Sequence, residues 1–146
     1  KNINGTHFLD VTTSARVSNL QKGHEVALAE PDNGGNEDIF IKMVGANGRN
    51  AYQSSLYVNP GQNNNHRVNL SLQRTVSNRI AIEAKIKVTF EENNKERSVY
   101  RDVNSGGSFG ANPLLQHFGI GEATSIEKIE VRWPVTGEIQ VSKSTC

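Results

Sequence analysis

Cysteine is almost absent: the one in these 146 residues is Cys146, the last position. No internal disulfide can form, and no thiolate metal site can be built. Cys146 reads as an ordinary tail residue, although a terminal thiol can also cross-link two chains. Long hydrophobic runs are missing too. None approaches the ~20 residues of a bilayer-spanning helix, and Lys1–Thr6 has no apolar segment resembling a signal peptide. Membrane insertion is not expected. Charge of one sign is scarce: 16 Lys and Arg stand against 15 Asp and Glu, a net of +1, with no run of five like charges. That balance argues against a dedicated nucleic-acid or anionic-membrane surface. Aromatics are 6% of the chain, thin supply for the ring platforms of a typical sugar site.

The chemistry-bearing residues are equally sparse. His7, His24, His66 and His117 show no i,i+2 or i,i+4 pairing, so a zinc site is not expected. No Gly-x-Ser-x-Gly elbow occurs, and no cysteine is placed as a nucleophile. The chain therefore reads as a non-enzyme. A catalytic alternative, a hydrolase of unknown substrate, would need carboxylates or histidines that converge only in space.

What the sequence does have is alternation. Ile80, Ile82, Ala84, Ile86, Val88 and Phe90 alternate with Ala81, Glu83, Lys85, Lys87 and Thr89, which predicts a strand with one wet face. Val68–Leu72 and Val99–Val103 predict two more, and the polar Glu91–Glu96 a hairpin connection. Lys128–Trp133 predicts a fourth strand, ended by Pro134, with Ile129, Val131 and a buried Trp133 on one face. Thr136-Gly137 turns the chain into Glu138–Lys143. Ala123–Glu127 is expected to hold one helical turn. The fold class is all-β, an antiparallel β-sandwich or barrel-like domain with little helix.

The N-terminal part differs in texture. Gly23–Ala29 and Ile39–Ile41 are apolar strands around an acidic, Gly-rich turn, and the short patch Leu56–Val58 follows. That turn sets oxygen-bearing side chains, Glu30, Asp32, Asn36 and Asp38, at spacings a Ca²⁺ loop could use. Gly34 stands where another carboxylate would serve, and Pro31 stiffens the entrance. A metal-free polar turn is the preferred reading, with Ca²⁺ the alternative and no other cofactor expected. Ser105-Gly106-Gly107-Ser108 lacks the Lys-Ser/Thr ending of a phosphate loop and reads as a bulge or wide turn. His117, between apolar neighbours, reads as a hydrogen-bonded structural imidazole. Tyr52, Tyr57 and Tyr100 are candidate surface contacts.

Four segments, Arg79–Val88, Ser105–Phe109, Leu115–Gly121 and Ile129–Pro134, resemble in order and spacing the ASPIC/UnbV domain, as in the cartilage acidic protein group. Gly23–Ala29, the acidic turn and Asp38–Ile41 resemble a single degenerate FG-GAP or VCBS repeat, a type that carries Ca²⁺ in its turn. Glu83 departs from the first pattern, which usually has Gly there, and implies an altered backbone path or bulge. The implied organisation is an N-terminal segment, 1–62, packed on an ASPIC/UnbV-like β-domain, 63–146.

The resemblance implies a secreted or cell-surface protein. The expected function is a non-catalytic binding or adhesion module for a protein or glycan at the cell exterior, without nucleic acid. Its expected contacts are Ser105, Ser108, Phe109 and Asn112, together with the acidic turn. The alternative is a structural subunit that self-associates by completing a neighbour's sheet. Asn4-Gly5-Thr6 and Asn69-Leu70-Ser71 match the N-glycosylation pattern.

Overall fold

A computed structural model describes residues 1–3, 6–18, 22–31, 36–44, 53–61, 64–75, 78–107 and 111–143. The described residues form eleven strands: β1 (Asn2–Ile3), β2 (His7–Phe8), β3 (Lys22–Ala29), β4 (Asp38–Val44), β5 (Ser55–Tyr57), β6 (His66–Leu70), β7 (Lys85–Glu92), β8 (Lys95–Asp102), β9 (Gln116–Gly121), β10 (Lys128–Arg132) and β11 (Ile139–Lys143). Every pairing is antiparallel, and no helix occurs among the described residues. No helix there is long and apolar enough to cross a membrane.

The period-two pattern dictates the main layer. Strands run β11-β10-β7-β8 in a four-stranded sheet, with Val88 opposite Val99 and Ile129, and Ile86 opposite Val131. Pleating sends these side chains to one face. Against that face packs the β6–β9 ladder, whose Phe118 and Ile120 are buried and whose Val68 and Leu70 cover the margin. The result is a sandwich. The sheets do not close, so the barrel-like alternative is corrected. On the edge strand β8, Arg97 and Arg101 share the inner face, their guanidiniums 5.9 and 5.8 Å from the rings of Phe90 and Phe118. Each long aliphatic stem covers apolar rim while its charge reaches water.

Turns follow their residue chemistry. Asn93 and Asn94 have φ of 54° and 57°, the pair of left-handed residues that a two-residue hairpin loop demands, and Asn adopts them at small cost. Trp133, buried as expected, donates from Nε1 to Gln140 Oε1 at 3.0 Å and lies under Arg74, whose guanidinium is 4.8 Å from the ring centroid. Arg74 is tied in turn to Glu138 at 2.5 Å.

Two expectations fail locally. Ala123–Glu127 is irregular rather than helical; its ties are backbone bonds of Ala123 N to Ile120 O and Glu127 N to Thr89 O, which fasten it to neighbouring strands. The strand expected from Ile80 starts only at Lys85. Ala81 and Glu83 have φ of 59° and 73°, so residues 78–84 turn, burying Ala81 and leaving Ile80 exposed. Asn78 stabilises the turn, accepting from Ile80 N and donating to Ile82 O. Glu83 thus holds a left-handed turn position just ahead of the strand, not a bulge within it, which is why a Gly suits this position.

A second clamp joins strand ends across the sandwich. Gly121 has φ of 62°, and a Cβ there would overlap Glu92 Oε1. That oxygen accepts the backbone N–H of Glu122 at 3.0 Å, and Arg97 pairs with the other carboxylate oxygen. The N–H bond first, and Arg97 second, hold the Glu92 carboxyl below the usual glutamate range.

Two outcomes follow from these positions. Glu83→Gly relieves a strained left-handed residue whose side chain is exposed, and should raise stability by about 1 kcal/mol in denaturant titration; a lowered midpoint would contradict the strain. Glu92→Gln removes a carboxyl whose pKa is lowered on folding. Its contribution is complete above the unfolded pKa and vanishes as the pH falls through the folded one. Urea curves of the variant and the parent should therefore differ at neutral pH and converge in acid; a constant gap would refute the clamp.

Candidate functional site

The β3–β4–β5 sheet, with Phe40 opposite Ala27 and Leu56, is thinly covered on both faces: Val26, Leu28, Phe40 and Leu56 are all exposed. It meets the sandwich through polar contacts. Leu28 N donates to Asn112 Oδ1 at 3.4 Å, and Glu30 places one carboxylate oxygen 4.0 Å from Arg67 Nη2 and the other 3.7 Å from His117 Nδ1. A groove runs between the two parts. One lobe, about 370 Å³, is lined by residues including Arg101, Asn104, Asn112 and Gln116. The next, about 400 Å³, is lined by residues including Asn36, Asn59, Arg67 and Phe118. Leu28, Glu37, Arg101 and His117 border both lobes.

Strand register aims these groups. His117 lies on β9 opposite Asn69, while its neighbours Gln116 and Phe118 are buried. Its side chain is 9% exposed, and Nδ1 has no hydrogen-bond partner. The expected structural imidazole thus keeps an unsatisfied nitrogen at the groove, with Glu30 just beyond hydrogen-bond reach. Arg101 projects over Phe118, bonded only to the neighbouring carbonyl of Tyr100 at 3.3 Å, with no carboxylate partner among the described residues. Groove walls of amide, guanidinium and imidazole can donate several hydrogen bonds to a polar or anionic ligand.

The residues chosen from sequence separate. Asn112 is a junction: its N–H donates to Ser105 O, its amide to Gly106 O, and its Oδ1 accepts Leu28 N. Ser105 is exposed at the base of the same loop, which Gly106 and Ala111 close as an isolated bridge. Ser108 and Phe109 lie outside the described residues, as do Asp32, Tyr52, Asn4 and Cys146. Glu30 turns to Arg67 and His117. Asn36 borders the groove, its amide fitting over Gly61, whose φ of 61° and missing side chain leave the space. Asp38 is buried, with Oδ1 accepting Asn59 N at 2.7 Å and Oδ2 unpartnered. Among the described residues, no three His, Cys, Asp or Glu side chains gather as a metal cage. Sequence reasoning passed over Arg67 and Arg101, which looked like ordinary strand charges.

The structure defines an antiparallel β-sandwich with a polar groove against a smaller sheet. Residues 74–145, just under half of the chain, match the model of the family ASPIC and UnbV. The four resembling segments lie inside that stretch; β1 to β6 precede it. No curated protein and no solved structure matches the chain significantly.

Glu30→Gln removes the carboxylate that faces both Arg67 and His117. Hydrogen exchange at the Leu28 amide should accelerate, while amides of β7 and β10 keep their protection. Unchanged exchange at Leu28 would show that the Glu30 carboxylate does not hold the hairpin in place.

Proposed function

We propose that this chain is a non-catalytic binding module of the cell exterior, taking a polar ligand into the groove between β3–β4 and β6–β9. The observation that carries the reading is the pairing of an unpartnered, largely buried His117 Nδ1 with the uncompensated Arg101 along one cleft. Buried polar atoms are normally satisfied, and a ligand acceptor would complete this one. The ASPIC/UnbV match supports an external setting, where proteins and glycans are the available partners. The boundary near residue 63 keeps β6 with its ladder partner β9.

A calcium ion at the 30–38 turn belongs to the same proposal only through Asp38, whose buried Oδ2 is the kind of oxygen a cation takes. Glu30 does not fit such a set, because its carboxylate faces Arg67 and His117. The FG-GAP-like reading of β3–β4 rests on the hairpin and the sequence pattern. Self-association is favoured by one feature, the thinly covered β3–β4–β5 sheet with its exposed Val26, Leu28, Phe40 and Leu56.

The test is a printed array of glycans and matrix proteins, probed in Ca²⁺ and in chelator, with the array ligands recovered for mass analysis. A ligand should bind the parent chain and be lost in Arg101→Ala at unchanged melting temperature. Binding indifferent to Arg101, or a ligand recovered as product, would overturn the reading; equal binding in both buffers would remove calcium from it.

A further inference from the structure

The four-stranded sheet ends in two edge strands, β11 and β8, and they are guarded very differently. On β8 the edge is protected by charge, since Lys95, Glu96, Arg97, Arg101 and Asp102 fill five of its eight places. β11 has no such protection. It pairs with β10 without a register shift, contains no proline, and in Ile139-Gln140-Val141-Ser142-Lys143 its sole charge stands at the end. All five side chains are exposed, Ile139 by 58% and Val141 by 50%.

Register fixes which groups this edge presents. Trp133 N donates to Glu138 O at 2.9 Å. Alternation from that bond turns the N–H and C=O of Gln140 and Ser142 toward β10, and those of Ile139, Val141 and Lys143 away from it. The side chains of the same three residues leave the face of the sheet turned away from the core, beside Arg132, Glu130 and Lys128.

We propose that β11 pairs antiparallel with β11 of a second copy of this chain, about a two-fold axis at Val141, joining the two four-stranded sheets into one. The pattern of the strand itself selects the occupant. With Val141 opposite Val141 and Ile139 opposite Lys143 at both ends, every outward backbone group meets a partner, about six hydrogen bonds in all. Sliding the strands by two residues leaves about four, and sliding them by one puts unlike faces together. In the favoured register the two Val141 and two Ile139 side chains form one apolar patch, covered at its ends by the stems of Lys143. No like charges stand directly opposite. Arg132 and Lys143 of the second copy flank Ile139 about 10 Å apart, a repulsion that salt screens. A contact of five residues a side lies below the ~1,200 Å² of standard interfaces, so the dimer is micromolar rather than nanomolar. Being two-fold, it closes at two copies. The contact uses neither the groove nor the β3–β4–β5 sheet, so it stands or falls apart from both.

Sedimentation equilibrium of the full chain, in reductant to keep Cys146 from cross-linking copies, tests the pairing. The mass should move from monomer to dimer across the micromolar range, at lower concentration in high salt. Val141→Lys and Val141→Glu each set like charges face to face and should weaken the dimer about tenfold or more. Mixed in equal amounts, the two variants should regain it, because residue 141 meets its own counterpart. Both changes fall on a half-exposed side chain, and melting curves check that each variant stays folded. Leu56→Lys, on the smaller sheet, should leave the dimer unchanged. A parent chain that stays monomeric, masses that grow past the dimer, a lysine variant that dimerises like the parent, or a mixture that stays monomeric would overturn the assignment. Loss in Leu56→Lys would move the contact to the β3–β4–β5 sheet and equally refute it.

Discussion

Phe118 is the side chain on which the two layers close. It is fully buried, sits on β9, and meets the face of the central sheet where Ile86, Val88 and Phe90 are also out of reach of water. Full burial of side chains this size is worth about 1.5–3 kcal/mol each relative to exposure. The β6–β9 ladder has only two strands, too few to stand alone in water, so its stability comes from this contact. The groove depends on it as well, because His117 is held at its wall by the burial of its neighbours Gln116 and Phe118.

Much of the sandwich was legible in the sequence because alternation is a local property. Val88 and Ile86, or Ile129 and Val131, announce a buried face without knowledge of the partner, and Asn93-Asn94 announces its turn. The misreadings have local causes too. Ile80 to Ala84 continues the period of β7, and nothing in that periodicity reveals that Ala81 and Glu83 adopt left-handed angles. The departure at Glu83 from the family's usual Gly was the signal, and it marked a turn rather than a bulge. Short irregular links such as Ala123–Glu127 carry no period, so composition suggested a helix where bonds to Ile120 and Thr89 decide the path.

The candidate sites were far less readable, because they are made by register. Arg67, Arg101 and His117 are widely separated along the chain and meet only once β6 has paired with β9 and β8 has packed against that ladder. The acidic turn shows the converse: Glu30 and Asp38 look alike in sequence but face different surroundings, one toward basic side chains and one into the interior.

β6 lies upstream of the stretch that matches the family, yet it supplies the ladder partner of β9 and the apolar margin formed by Val68 and Leu70. The recognisable motif is consequently smaller than the cooperative unit. A fragment cut at residue 74 would keep the whole stretch that matches the ASPIC and UnbV model while exposing an orphaned strand beside Phe118, a template for unwanted pairing with other chains. Hydrogen-bond partnership, which ties β6 from His66 onward to β9, reaches further upstream than the matched stretch does.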